Sequence, residues 1–149
     1  MNRKRILALA LLLILALGLT ACGKSDQLGV EDTWKPILET ISMGDDVLFS
    51  ATLKDMSDAE AGVEPSMVLE RGGTGTFDLS GGDPMQVQWS RDGSTLTLTA
   101  EAESMELIYD ETSDQFTLTL EENGLTATIQ FAREGSAAVA SARTTSAVG

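Results

Sequence analysis

Apolar and polar side chains alternate, residue by residue, through most of the chain between residues 66 and 133. Residues 95–100 are Thr-Leu-Thr-Leu-Thr-Ala, and residues 125–131 are Leu-Thr-Ala-Thr-Ile-Gln-Phe. Because successive side chains on a β-strand point to opposite faces, this period of two predicts strands with one apolar and one polar face. Threonine, which fills many polar positions, also favours strands because it is β-branched. The pattern therefore predicts a mainly all-β fold.

Short turn sequences separate the alternating runs. Asp92-Gly93 and Asn123-Gly124 are typical of tight hairpins, which need backbone conformations with positive φ. The connections are too short for crossover helices, so neighbouring strands must be antiparallel. Seven strands fit between residues 66 and 133, and an eighth is predicted over residues 33–42. The apolar faces need either a second sheet or closure of the sheet on itself, and we expect this meander to close into a β-barrel of about eight strands.

The segment over residues 45–60 departs from the alternation. Its apolar residues recur at helical spacing between a capping aspartate and a glycine, which predicts one short helix after the first strand. Such a helix would plug one mouth of the barrel with its apolar stripe, and the alternative is an irregular acidic loop. The residues concerned are Phe49, Leu53 and Met56 for the stripe, Asp45 or Asp46 for the cap, and Gly62 for the end.

The N-terminus has the composition of a secretory signal peptide. Residues 3–5 are Arg-Lys-Arg, and residues 6–19 are almost wholly apolar but too short for a comfortable membrane span of about 20 residues. The Leu-Thr-Ala sequence before Cys22 resembles the lipobox of bacterial lipoproteins. This resemblance implies a diacylglycerol on Cys22, removal of residues 1–21, and a mature chain held by lipid on the extracytoplasmic face of the cell membrane. The alternative is an ordinary secreted protein with a free thiol.

Composition limits the chemistry that the chain can perform. It contains no histidine and only one cysteine, so the commonest general base and the strongest nucleophile are missing from a lipidated chain. Loss of the three basic residues at 3–5 takes the formal net charge from −13 to −16, which argues against binding to nucleic acid or anionic lipid. The oxygen-rich segment 110–114 lacks the glycine and terminal glutamate of a calcium loop. We therefore predict no enzyme activity, no metal and no cofactor.

The patterned region begins with Trp34-Lys35 and ends with Phe131-Ala132-Arg133-Glu134. In this arrangement it resembles the small lipocalin-like domains found in lipoproteins of Gram-positive bacteria, over roughly residues 33–134. The resemblance implies a lipocalin-like β-barrel in which Trp34, early in the first strand, is covered by Arg133 at the end of the last strand. A guanidinium over an indole closes a barrel end through a cation–π contact. The glycine that usually stands two positions before this tryptophan is Asp32 here.

The chain is thereby divided into four parts. Residues 1–21 are the predicted signal peptide, 22–32 a lipidated tether, and 33–134 the barrel domain. Residues 135–149 have small side chains that bury too little surface to offset their ordering entropy, so we expect a flexible tail.

An eight-stranded barrel has an interior that side chains just fill or that holds one small ligand. The first functional hypothesis is a lipid-anchored binding module that holds a small apolar or amphipathic ligand in or near the barrel. The alternative is an envelope protein–protein interaction module with a solid core, and a carboxylate-based hydrolase ranks third. An open apolar volume favours a ligand, whereas a filled interior with an exposed apolar patch favours a partner. The residues predicted to line a ligand site are Phe77, Trp89, Met105, Tyr109, Phe116 and Phe131, with room left by Gly75, Ala100 and Ala127.

Overall fold

The computed structural model describes residues 29–59, 62–79 and 82–147. The predicted signal peptide, Cys22 and most of the tether lie outside these residues. The described residues form nine strands and two helices. In chain order they are β1 (Asp32–Met43), β2 (Asp46–Thr52), α1 (Leu53–Ala59), β3 (Ser66–Glu70), β4 (Thr74–Asp78), β5 (Met85–Asp92), β6 (Thr95–Ala100), β7 (Glu103–Asp110), β8 (Gln115–Glu122), β9 (Leu125–Arg133) and α2 (Ala137–Ala142).

Eight of these strands form a closed antiparallel barrel. Strands β3 to β9 pair in chain order, β1 pairs with β3, and β9 pairs back onto β1 along most of its length. Each apolar strand face therefore turns toward the same interior, where neighbouring strands bury it from water. The predicted mainly β fold, with an antiparallel meander closing into a barrel of about eight strands, is confirmed.

The second strand, β2, lies where the sequence predicted a helix or an acidic loop. It forms a hairpin with the C-terminal half of β1, and Phe49 lies opposite Ile41. The helical spacing of Phe49, Leu53 and Met56 is thus divided between β2 and α1. The short helix exists, but its predicted place is wrong, because it follows the second strand rather than the first and begins at Leu53.

A register shift in β1 reverses which of its side chains face the interior. The pairing with β9 shifts between Pro36 and Leu38, so that Ile37 is an extra residue, a β-bulge. Glu39 then lies opposite Ile129, whose side chain belongs to the barrel core. Directly opposite residues of an antiparallel pair point to the same face, and a bulge re-aims the side chains that follow it. The side chains that face inward beyond the bulge are Glu39, Ile41 and Met43.

The C-terminal residues form a second layer outside the barrel. Ser136 caps α2, because its hydroxyl accepts a hydrogen bond from the Val139 amide at 3.3 Å. Val139 and Ala142 are buried against Leu53 of α1 and Ala132 of β9. The predicted flexible tail is therefore wrong over Ala137–Ala142, since small side chains suffice where a helix packs closely on strands.

Candidate functional site

One end of the barrel, which we call the closed end, consists of the start of β1, the end of β9 and the turns β3–β4, β5–β6 and β7–β8. Arg133 lies over the ring of Trp34 at 4.5 Å, and Arg91 lies over the ring of Tyr109 at 4.7 Å. Trp34 meets Phe116 edge to face, with ring centroids 4.6 Å apart. Two guanidinium–aromatic contacts thus cover the barrel interior here. The structure brings together Trp34 and Arg133, the two residues that the lipocalin resemblance pairs.

A polar network fixes these groups. Arg133 donates a hydrogen bond to Asp114 at 2.7 Å and another to the carbonyl of Gly29, while the Tyr109 hydroxyl donates to Asp114 at 2.7 Å. Burial tends to raise the pKa of Asp114, but the hydrogen bonds from Arg133 and Tyr109 outweigh it, so this pKa lies below its ordinary value. Burial and the hydrogen bond to Asp114 raise the pKa of Tyr109. The closed end is therefore held by charge-assisted hydrogen bonds.

The predicted ligand-lining residues are distributed along the barrel rather than collected around one cavity. Tyr109 lies at the closed end, and Met105 lies toward the opposite end, each partly buried against the core. Gly75 leaves no free room, because a Cβ there would come within 2.0 Å of the Val68 carbonyl oxygen. The other four are at most 6% exposed and belong to the packed core: Phe77, Trp89, Phe116 and Phe131.

The opposite end, which we call the open mouth, consists of the β1–β2 hairpin and the connections β4–β5, β6–β7 and β8–β9. At this end, an inward-facing side chain can be exposed although the next inward-facing side chain of the same strand, two residues away, is buried. On β8, Leu118 is 1% exposed, whereas Leu120, two residues further along the same face, is 47% exposed. Grouped apolar side chains exposed in this way are typical of interaction surfaces and ligand-binding grooves. Its apolar rim, with exposures from 36% to 54%, consists of Met43, Phe49, Leu79, Met85, Leu120 and Leu125.

The rim continues on one side into an apolar groove of about 460 Å³. This groove, which we call the β2–α1 groove, lies among β2, α1 and the adjoining ends of β3 and β4. Its volume is within the range of sites that hold small molecules, which are mostly apolar with a few polar groups. The apolar residues that line it include Phe49, Ala51, Met56, Pro65 and Leu79.

Three carboxylates also border the β2–α1 groove, and two of them have partners. Asp55 accepts hydrogen bonds from the Ser146 hydroxyl and from backbone amides, including that of Ala147 at 2.8 Å. These bonds, with that from Ser146 the largest cause, hold the pKa of Asp55 well below its ordinary value. Asp58 pairs with Lys54 one helical turn away. The third carboxylate, that of Glu39, is partly buried, and this side chain forms no hydrogen bond or ion pair among the described residues.

The described residues contain no group of three histidine, cysteine, aspartate or glutamate side chains arranged to hold a metal ion. At the oxygen-rich β7–β8 turn, Asp110 accepts hydrogen bonds from the Thr112 amide and the Ser113 hydroxyl, each at 2.9 Å, and these bonds lower its pKa. This is the geometry of a hairpin turn held by its own aspartate. In the part of the chain that the structure describes, no helix has the length and apolar character to cross a membrane.

Comparisons of this chain with protein families, with curated proteins and with solved structures find no match. The geometry of the open mouth and of the β2–α1 groove is therefore the basis on which we assign a function.

Sequence reasoning missed the residues that distinguish this groove. Glu39 and Phe49 were not among the predicted site residues, and Met56 was assigned only to a plugging helix. The sequence does contain one indication of this arrangement. Residues 39–43 are Glu-Thr-Ile-Ser-Met, and Ile41 and Met43 face inward together with Glu39 only if a bulge at Ile37 shifts the alternation by one residue.

Proposed function

We propose that the protein is a lipid-anchored extracytoplasmic binding module that holds one small apolar or amphipathic ligand at the open mouth of its barrel. The observation that carries this proposal is the change from packed to exposed along a single inward face, as between Leu118 and Leu120. A soluble domain leaves such a ring of apolar side chains exposed at a cost that a bound ligand removes. The packed core supports a site at the mouth rather than deep in the barrel.

The proposed anchor gives this site an orientation. The described chain begins at the closed end, where the carbonyl of Gly29 accepts a hydrogen bond from Arg133. Six residues lie between Cys22 and Gly29, and a chain of seven residue steps reaches at most about 25 Å. With lipid on Cys22, as the lipobox resemblance implies, the closed end faces the membrane and the open mouth faces away from it. A ligand would then be taken from the extracytoplasmic medium.

Binding is proposed rather than catalysis. Hydrolysis by paired carboxylates needs one of them protonated near neutral pH, and therefore a raised pKa. In the β2–α1 groove, hydrogen bonds lower the pKa of Asp55, which is the opposite of what a general acid needs. Asp58 is engaged with Lys54. These contacts support a groove whose carboxylates act as fixed charges.

A second candidate function is contact with another envelope protein. Strand β2 pairs only with β1 among the described strands, and its Val47 and Leu48 are 63% and 58% exposed. An apolar strand with an unpaired edge can add a strand from a partner. This surface differs from the inward rim, so the two functions are separable by mutation.

The proposed function is tested by native mass spectrometry of the protein isolated from its own membrane. We expect a bound small molecule on the wild-type protein and its loss in Leu120→Gln, which replaces an apolar contact at the rim with a polar side chain and adds no charge. The matched control is Ile108→Gln, since Ile108 is 53% exposed but points outward from β7. An unliganded wild-type protein, or a ligand that Leu120→Gln retains, would contradict the proposal.

A further inference from the structure

The β2–α1 groove contains an acidic side chain whose position is unusual for a β-barrel. Glu39 shares the inner face with Ile129, a core residue that is 6% exposed. Its carboxylate forms no hydrogen bond or ion pair with the described residues, and its oxygen atoms keep contact with solvent. Glu39 is therefore free to pair with a charged group of a ligand.

The lysines of β1 and α1 have other partners. Lys54 of α1 pairs with Asp58, and Lys35, on the outer face of β1, pairs with Glu64 at 3.3 Å. The bulge at Ile37 is what turns Glu39 toward the groove instead of toward these outer-face charges. Bulges are frequent at the rims of barrels, where they re-aim the side chains that follow them.

The charge of the whole groove has one sign. Its described lining contains three carboxylates, no lysine or arginine, and an apolar floor on which Phe49 and Met56 lie. An anionic ligand would meet repulsion from all three carboxylates, and a neutral ligand would leave Glu39 unpaired. A ligand with a positively charged head and an apolar body satisfies both the charge and the floor.

We propose that the ligand is a cationic amphiphile, whose protonated amine or guanidinium pairs with Glu39 and whose apolar body lies on Phe49 and Met56. This inference rests on the proposed function and specifies its ligand class. Asp55 and Asp58 have their own partners, so they add an attractive field while Glu39 makes the direct contact. Charge-assisted pairing at a partly desolvated site is stronger than a neutral hydrogen bond.

The test compares octylamine with 1-octanol, which have the same alkyl chain and differ in the charge of the head group. The full chain is labelled with ¹³C at its methionine methyl groups, held in phosphatidylcholine nanodiscs, and titrated at pH 7 by NMR. Met56 lines the groove, and Met67 is fully buried in the core and serves as the internal reference. We expect both ligands to shift the Met56 signal, with octylamine binding about tenfold more tightly.

Two variants isolate the role of Glu39. Glu39→Gln should reduce the affinity for octylamine about tenfold and leave that for octanol unchanged. Glu106→Gln removes the same charge from an exposed, outward position on β7 and should leave both affinities as in the wild type. Because all samples contain the same lipid, the partition of each ligand into the nanodisc cancels between wild type and variants. The octylamine and octanol affinities are compared after correction for the partition of each ligand into empty nanodiscs.

The outcomes separate the two proposals. Equal affinity for octanol and octylamine, with Met56 responding to both, would overturn the cationic class and leave the binding function standing. A Met56 signal that responds to neither ligand, together with silent rim methionines Met43 and Met85, would contradict both. A dimer that octylamine does not dissociate would also overturn the inference, because a second copy would then cover the groove.

Discussion

Two leucines on the same face of β8 should differ in their contribution to stability, although they are only two residues apart. Leu118 is 1% exposed and contacts the barrel core, whereas Leu120 is 47% exposed at the open mouth. We predict that Leu118→Ala destabilises the protein severely and that Leu120→Ala destabilises it little. Leu118 and Leu120 have the same residue type, lie on the same strand and face the same way. A comparison of the two substitutions therefore measures the effect of position along the barrel axis alone.

The magnitudes follow from burial. Truncation of a fully buried leucine loses transfer free energy and leaves a cavity, so Leu118→Ala should lower the free energy of unfolding by about 3 kcal/mol. Leu120 is only about half buried, and water enters the space that its truncation leaves, so no cavity contribution arises. At about 0.8 kcal/mol per fully buried methylene, half burial of three such groups gives a loss of about 1 kcal/mol for Leu120→Ala.

Urea-induced unfolding, followed by the fluorescence of Trp34 and Trp89, measures both values. Both tryptophans are buried in the barrel, so their emission reports loss of the core. Unfolding midpoints should shift at an unchanged m-value. Equal destabilisation by the two substitutions would refute the division into a packed interior and an open mouth. A larger effect for Leu120→Ala than for Leu118→Ala would mean that the side chains at the mouth are the packed ones, which also contradicts the structure.

Two further predictions concern the core and the closed end. Gly75→Ala should destabilise the barrel by about 3 kcal/mol, because its Cβ would lie 2.0 Å from the backbone oxygen of Val68. Gly29→Ala, whose Cβ would make an ordinary 3.8 Å contact, should be near neutral when both variants are compared by urea-induced unfolding. The lowered pKa of Asp114 means that its stabilising contribution is present above its ordinary pKa of 3.8 and is lost as pH falls through the lower folded value. The difference in unfolding free energy between wild type and Asp114→Asn should therefore be constant near neutral pH and shrink below about pH 4, and a difference that persists in acid would contradict this.

The barrel was predictable because its strands obey a local rule. Residues 95–100 and 125–131 alternate without interruption, and hairpin turns at Asp92-Gly93 and Asn123-Gly124 fix their antiparallel order. Any strand that buries one of its two faces needs apolar residues at every second position, whatever the tertiary structure around it. Sequence alone therefore suffices for the closed meander.

The remaining features depend on contacts that a local pattern does not contain. Phe49, Leu53 and Met56 have helical spacing, but β1 offers β2 a pairing partner, and this pairing overrides the spacing. The alanine-rich C-terminus is helical because Val139 finds a buried place beside Leu53. Glu39 faces inward only because of the extra residue at Ile37. Each misassignment lies on the side of the barrel that carries the β2–α1 groove.

The central claim, that a ligand binds at the open mouth and not inside the barrel, is tested most directly with a nitroxide placed on the alkyl chain of a cationic amphiphile. Paramagnetic broadening of the methionine methyl signals measures how near the chain comes to each of them. Met43 and Met85 are 54% and 43% exposed at the mouth, whereas Trp34 is fully buried at the closed end. On β1, nine residue steps, or about 30 Å of strand, separate Trp34 from Met43. We predict strong broadening of the Met43 and Met85 signals and a sharp signal for the indole N–H of Trp34. Broadening that is strongest at Trp34 would place the ligand in the interior and contradict this prediction.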